Sequence, residues 1–256
     1  MIQGLLIDLD GTVYQAGELI PGALQSARWL REREIPFLFT TNTSRKSRRA
    51  VALSLAEVGL EVDEAEILTA NVAAARWLED QGIQRVQLLV SDAAHDDFSA
   101  FERTDQQPEA VLVADLGDGF TFEVLNDAFR SLRQGARLVA MHKNRFWITR
   151  DGPTLDAGPF VTALEFATRS EAVLVGKPAP AFFDMAAGLL GVGVDGLAVV
   201  GDDPESDIRG GNAAGLTTVQ VRTGKFEEGR LADAPPEERP DRLIDSIADL
   251  PSLFAT

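Results

Sequence analysis

The chain has 256 residues, 45% of them hydrophobic and 25% charged, with 40 acidic against 24 basic side chains and a formal charge of −16. That length suits one sizeable core with a second, inserted or appended unit, and the composition excludes disordered and fibrous classes. The absence of cysteine excludes disulfides, thiolate metal sites and thiol nucleophiles, and the acidic balance disfavours a nucleic-acid backbone as partner. No basic and apolar leader precedes the first strand and no apolar run approaches the ~20 residues of a membrane span. The expectation is a cytoplasmic protein, neither exported nor inserted in a membrane.

Short apolar runs alternate with amphipathic stretches along the whole chain, the βαβ pattern of a mostly parallel sheet with helices on both faces. The first strand is read at 4–9. A Pro21-Gly22 turn then opens a helix through Arg33, and a second strand follows at 36–40. Helices are expected at 45–58, stopped by Gly59, and at 71–81, stopped by Gly82. Strands follow at 86–90, 110–114, 138–141, 172–175, 198–200 and 217–221. Between them lie helical patterns at 122–133, 159–168, 180–190 and 205–214. The charged, proline-containing stretch 227–240 reads as a surface loop before a last strand and helix. The middle block has its own strands and helices, so the division expected is a core at 1–75 and 171–256 with an inserted α/β domain at 76–170. Gly191-Val192-Gly193-Val194-Asp195-Gly196 fits G-x-G-x-x-G, but it ends a helix and enters a strand, the reverse of a dinucleotide loop.

Four stretches carry chemistry, each after an apolar strand. Asp8-Leu9-Asp10-Gly11-Thr12 delivers two carboxylates into a turn at a strand's C-terminal edge, where ligands bind in open α/β sheets and carboxylates serve as cation ligands, nucleophiles or proton carriers. Thr40-Thr41-Asn42-Thr43-Ser44 offers hydroxyls, an amide and the N-terminus of the next helix to an oxyanion, though alone it reads more simply as a helix cap. Gly176-Lys177-Pro178 places one of only four lysines where it can offset carboxylates or a phosphate. Gly201-Asp202-Asp203-Pro204-Glu205-Ser206-Asp207 crowds four acids, a hard-oxygen set suited to Mg²⁺, in which Asp202 and Asp207 are the stronger candidates and Asp203 and Glu205 read equally as helix-start acids.

In this order the four stretches resemble the motifs of the haloacid dehalogenase superfamily of aspartate-nucleophile phosphohydrolases. The likeness spans almost the whole chain. The long insert between the second and third motifs is similar to the large α/β cap of the NagD-like, 4-nitrophenylphosphatase-like branch. Thr41-Asn42-Thr43, His142-Lys143-Asn144-Arg145 and the stretch from Gly158-Pro159 to Glu165 look most like phospholysine phosphohistidine inorganic pyrophosphate phosphatases and their hydrolase relatives. The resemblance implies a Rossmann-like parallel-sheet core with an inserted cap, and a site in which Asp8 is the nucleophile and Asp10 the acid and base. It implies further that Asp8, the Asp10 carbonyl, Asp202 and Asp207 hold Mg²⁺, that Thr41 and Asn42 bind phosphoryl oxygens, and that Lys177 stabilises charge around Asp8.

The expected function is therefore Mg²⁺-dependent hydrolysis of a small phosphorylated metabolite or pyrophosphate through an aspartyl phosphate. Asp10 argues against haloalkanoate dehalogenation, whose enzymes lack that acid. The cap is expected to set the substrate, with His142, Asn144, Arg145 and Gly158 as candidate substrate-facing residues; Phe160 reads as packing. The resemblance also implies a homodimer through the cap. The competing class is a binding or regulatory protein that keeps the fold and metal site without physiological turnover; intact Asp8, Asp10, Thr41, Lys177 and Asp202 count against it.

Overall fold

The computed structural model describes residues 2–149 and 152–254. The chain divides into two compact units, one of Met1–Thr41, Ala52–Leu68 and Lys177–Thr256, the other of Asn42–Val51 and Thr69–Gly176.

The first unit is built on a six-stranded sheet ordered Arg242–Ile244, Thr217–Val221, Leu197–Gly201, Gly4–Asp8, Phe37–Thr41, Ile67–Thr69. The pairings that join the first five of these strands are all parallel. Parallel strands are covered on both faces, which is why Leu5, Leu6, Ile7 and Leu197, Ala198, Val199, Val200 form uninterrupted apolar runs, all buried. Gly4–Asp8 lies between Leu197–Gly201 and Phe37–Thr41, so strands far apart in sequence end side by side. Helices Ala23–Glu32, Pro180–Leu190 and Arg209–Ala214 belong to this unit. Gly191, at a φ of 66°, closes the Pro180–Leu190 helix and the chain turns into Leu197–Gly201, the helix-to-strand turn its context predicted.

Two expectations need correction here. The helix expected at 205–214 begins as a wider turn, Pro204–Ile208, in which the Arg209 N–H donates to the Pro204 carbonyl five residues back. Asp203 starts that turn by accepting the N–H groups of Glu205 and Ser206 at 2.8 and 3.3 Å. The stretch expected as a loop at 227–240 contains a short helix, Glu228–Ala232, and a tight turn, Pro236–Glu238. Arg230 orders it by pairing with Glu205 and Glu238.

The second unit carries a five-stranded sheet ordered Val173–Leu174, Arg137–Ala140, Ala110–Val113, Arg85–Leu89, Glu102–Arg103, all parallel. Alternate residues of one strand supply two apolar layers. Leu112 joins Ala74, Leu78, Val86 and Val139 on one face. Val111 and Val113 join Leu89, Ala128, Val161 and Leu164 on the other, against helices Phe122–Arg133 and Ala157–Thr168. An antiparallel hairpin, Phe146–Thr149 with Gly152–Leu155, was not expected. The boundaries differ from 75/76 and 170/171, because helix Ala70–Asp80 and strand Val173–Leu174 fall in this unit and a piece of chain at 42–51 joins it.

The helix expected from residue 45 starts at Arg48, since the residues before it spend their backbone groups elsewhere. The Arg45 carbonyl accepts from Ser91 Oγ at 2.6 Å and the Lys46 carbonyl from Asn71 Nδ2 at 2.9 Å. The Arg48 N–H is capped by both oxygens of Asp97.

Candidate active site

Three parallel strands of the first unit deliver the site. Asp8 is the last residue of Gly4–Asp8 and is buried. Lys177 is fully enclosed, and its ammonium lies 2.5 Å from Asp8 Oδ1 and 2.7 Å from Asp207 Oδ1. Asp202 follows Leu197–Gly201, and one carboxylate oxygen from each of Asp8, Asp202 and Asp207 lies within 4.8 Å of the others. Gly201 permits this approach: a Cβ there would meet Asp207 Oδ2 at 2.3 Å.

Asp10 stands apart from the three buried acids and is exposed; its Oδ2 accepts from the Thr41 hydroxyl at 3.2 Å. Thr41 ends Phe37–Thr41, and Asn42 is the first residue of the second unit's opening segment. Asp203 is bonded within its own turn, as a helix-start acid.

The charges in this cluster do not balance. Burial pushes the Asp8 carboxyl well above the usual carboxylate range; Lys177 opposes the rise and Asp207, Asp202 and Asp10 add to it. Burial, then Asp207, lifts Asp202 to about 7. Burial raises Asp207 as well. Burial alone would lower Lys177, but Asp207 and Asp8 outweigh it and hold the ammonium charged. Lys177 is bonded to only two of the three enclosed carboxylates, Asp8 and Asp207, and a divalent cation fits a hard-oxygen set that carries this much negative charge.

A further group escaped the reading of the sequence. The Lys225 N–H donates to Asp202 Oδ2 at 2.7 Å, its ammonium to Asp203 Oδ2 at 2.6 Å, and the Thr223 hydroxyl to the Gly11 carbonyl at 2.6 Å. Gly11, at a φ of +85°, and Gly224, at +61°, flank the Asp202 carboxylate so tightly that a Cβ on either would collide with Oδ2, at 2.2 and 2.0 Å. The signal was present: Thr223-Gly224-Lys225 follows the apolar strand Thr217–Val221 much as Gly176-Lys177 follows its own. Tyr14, the only tyrosine, was also missed. Burial first, then the charge and hydrogen bond of Asp10, push its hydroxyl well above the usual range.

In the second unit the four substrate-facing candidates gather at one corner. His142 is buried, with Nε2 3.1 Å from Ser44 Oγ and Nδ1 3.9 Å from Asp156 Oδ1. The Asn144 carbonyl accepts from the Gly158 N–H at 2.9 Å and the Arg145 carbonyl from the Asp156 N–H at 3.3 Å. A Cβ on Gly158 would lie 2.5 Å from the Lys143 and Asn144 carbonyls, so this glycine is needed for close backbone approach. Phe160 stacks on Phe120, ring centroids 3.8 Å apart, as expected of a packing residue.

Comparison with known proteins agrees with this geometry. A family profile described as haloacid dehalogenase-like hydrolase matches residues 5–102, and one described as HAD-hydrolase-like matches 174–250. The chain is 37% identical to haloacid dehalogenase-like hydrolase domain-containing protein 2 of Bos taurus, over 91% of this chain and 90% of that one. It is 32% identical to the phospholysine phosphohistidine inorganic pyrophosphate phosphatase of Homo sapiens, over 99% and 94%. Among solved structures it is similar to a glycerol phosphate phosphatase of Mycobacterium tuberculosis in complex with magnesium, with a TM-score of 0.87, 31% identity, and coverage of 97% and 76%. The chain belongs to the haloacid dehalogenase-like hydrolases. It is an enzyme of the phosphatase class within that family, with the α/β, parallel-sheet core the sequence led us to expect. No helix among the described residues is long and apolar enough to cross a membrane.

Proposed function

We propose that this chain is a Mg²⁺-dependent phosphohydrolase that acts through an aspartyl phosphate on a small phosphorylated metabolite or on pyrophosphate. The observation that carries this reading is the Lys177 ammonium held between Asp8 and Asp207, with Asp202 in the same carboxylate set.

An Asp8 oxygen attacks phosphorus, the bond from phosphorus to the leaving oxygen breaks, and Asp10 gives that oxygen its proton. Asp10 then takes a proton from water, whose oxygen attacks the phosphorus of the aspartyl phosphate and releases inorganic phosphate and the Asp8 carboxylate. The Thr41 hydroxyl, bonded to Asp10, turns its single proton to a phosphoryl oxygen when substrate binds. Asn42, next in the chain, donates to another. Lys177 offsets the negative charge that builds as phosphate meets carboxylate. Mg²⁺ held by Asp8, Asp202 and the Asp10 carbonyl, with Asp207 orienting the set, would neutralise charge between nucleophile and phosphate. The hard-oxygen donors and the magnesium complex of the mycobacterial relative support that ion.

The test is release of inorganic phosphate from 4-nitrophenyl phosphate, pyrophosphate, and sugar, nucleotide and amino-acid phosphates, with Mg²⁺ and with chelator. Release should require Mg²⁺ and vanish in Asp8→Asn. A wild type inactive on the whole panel would discredit the reading and favour a binding protein.

A further inference from the structure

The second unit grips one short piece of chain with unusual thoroughness. Ser44 Oγ lies 3.1 Å from His142 Nε2 and accepts the Asp115 N–H at 3.2 Å. Ser44, His142, Asp115 and Asp156 are all buried, so this network stands in a low-dielectric setting where a missing partner is costly. Asp156 in turn caps helix Ala157–Thr168 through the Ala157 N–H at 2.7 Å, which fixes its carboxylate 3.9 Å from His142 Nδ1. Further along the segment, Ser91 holds the Arg45 carbonyl, Ala93 the Ser47 N–H, Asn71 the Lys46 carbonyl and Asp97 the Arg48 N–H. At its start, a Cβ on Gly176 would lie 2.9 Å from Asn42 Oδ1 and 2.2 Å from the Met141 carbonyl. Asn42 is thus seated against Gly176, whose own N–H donates to the Met141 carbonyl at 2.9 Å.

These groups come from a single edge of the second sheet. Ser91, Asp115, His142 and Gly176 each follow the C-terminal end of a parallel strand, at Arg85–Leu89, Ala110–Val113, Arg137–Ala140 and Val173–Leu174. That edge is where an open α/β sheet ordinarily receives a ligand. In this unit, part of what it receives is the protein's own Asn42–Ser44 turn.

We propose that His142 is a positioning residue for phosphoryl transfer, acting through Ser44 to fix the turn that presents Asn42, and that it does not select among substrates. This rests on the reading of Asn42 as a phosphoryl ligand. A turn whose Ser44 hydroxyl makes two buried bonds keeps its donor near the transition-state geometry. Loss of one bond lets the donor drift by a fraction of an ångström, which lowers the rate without changing what the pocket admits.

The experiment is steady-state kinetics with Mg²⁺ on 4-nitrophenyl phosphate and two chemically unlike phosphomonoesters, for wild type, His142→Ala, Ser44→Ala, the double variant and His142→Gln. Thermal unfolding midpoints are measured alongside. Val111→Ala, a cavity on the sheet's other apolar face, is the control for lost stability. We expect kcat to fall about ten- to a hundredfold, by the same factor on every substrate, with KM little changed. The double variant should be no worse than Ser44→Ala, which already loses the Asp115 N–H bond as well, and His142→Gln should recover part of the rate lost in His142→Ala. Val111→Ala should lose stability and keep its kcat. Wild-type kcat in His142→Ala and Ser44→Ala, or a change confined to substrate ranking and KM, would overturn this inference and leave the phosphatase reading standing. An equal kcat loss in Val111→Ala would overturn it too, since the effect would then be general loosening. A wild type without turnover on any substrate would overturn the phosphatase reading and this inference together.

Discussion

Lys225 holds Asp202 by its backbone, the N–H lying 2.7 Å from Oδ2, while its ammonium turns to Asp203 2.6 Å away. The main chain thus fixes one carboxylate and the side chain its neighbour. Asp203 responds as a paired acid should: burial would raise it, yet Lys225 and the Glu205 and Ser206 N–H groups keep it below the usual range.

Because the backbone does the holding, Gly224→Ala should be more damaging to Asp202 than Lys225→Ala. The new methyl would enter Asp202 Oδ2 at 2.0 Å from a φ of +61°, and on the proposed Mg²⁺ site, where Asp202 is a ligand, displacing a ligand's support typically weakens the metal ~10- to 100-fold. Calorimetric titration with Mg²⁺ should show that loss in Gly224→Ala and a much smaller one in Lys225→Ala.

Lys177→Met removes the only ammonium bonded to both Asp8 and Asp207 among the described residues. Breaking a buried ion pair from one side typically costs ~3 to 5 kcal/mol. Urea denaturation in chelator should show a clearly lower midpoint, and Mg²⁺ should recover part of it; an unchanged midpoint would contradict the charge balance described above.

Gln87→Met should stabilise the second unit. Gln87 is buried in Arg85–Leu89, and its Oε1 has no hydrogen-bond partner among the described residues. An unsatisfied buried acceptor costs ~1 to 3 kcal/mol and methionine has similar length, so a gain of about 1 kcal/mol in denaturant unfolding is expected.

Glu165 offers a pH test away from the catalytic cluster. Desolvation would raise its carboxyl, but the Ala172 N–H and Lys143 outweigh that and hold it below its ordinary 4.5. A lowered carboxyl stabilises the fold above the unfolded-state value and loses that contribution as pH falls through the folded one. Wild type should therefore exceed Glu165→Gln in stability near neutrality, by no more than ~1 kcal/mol given the partial exposure. The two unfolding curves should converge as pH drops below about 4.

Tyr14→Phe deletes the hydroxyl bonded to Asp10 and leaves the bond from Thr41 in place. On the proposed mechanism kcat should drop several-fold, on the order of one lost hydrogen bond of ~1 kcal/mol, with KM nearly constant. Single-turnover and steady-state rates on 4-nitrophenyl phosphate would show whether protonation of the leaving oxygen is the step affected.

The site residues singled out in the sequence and brought together by the structure share one property: each lies at or just beyond the C-terminal end of a strand, and the strand itself was visible. Asp8, Thr41, Lys177 and Asp202 were found that way. Lys225 satisfies the same rule and was passed over because Thr223-Gly224-Lys225 carries no pair of like charges to draw the eye. Residues 45–47 misled for a physical reason. Their helical periodicity is real, but Ser91, Ala93 and Asn71 claim their backbone groups from distant parts of the chain, and no local pattern encodes a bond to a residue twenty or more positions away. The tail helix Glu228–Ala232 escaped for the same cause, since its order comes from Arg230 reaching Glu205.

The pairing of Gly4–Asp8 with Leu197–Gly201 sets a timetable for synthesis. Asp8 leaves the ribosome early, while Lys177, Asp202, Asp207 and the loop carrying Lys225 come more than 160 residues later. At ~5 to 20 residues per second, the first strand, soon joined by Phe37–Thr41, waits roughly ten seconds or longer for Leu197–Gly201. During that wait the second unit, Asn42–Val51 and Thr69–Gly176, emerges entire. On the proposed mechanism, Asp8 in the nascent chain stands without Lys177 beside it and cannot act on phosphate until Leu197–Gly201 has joined the sheet.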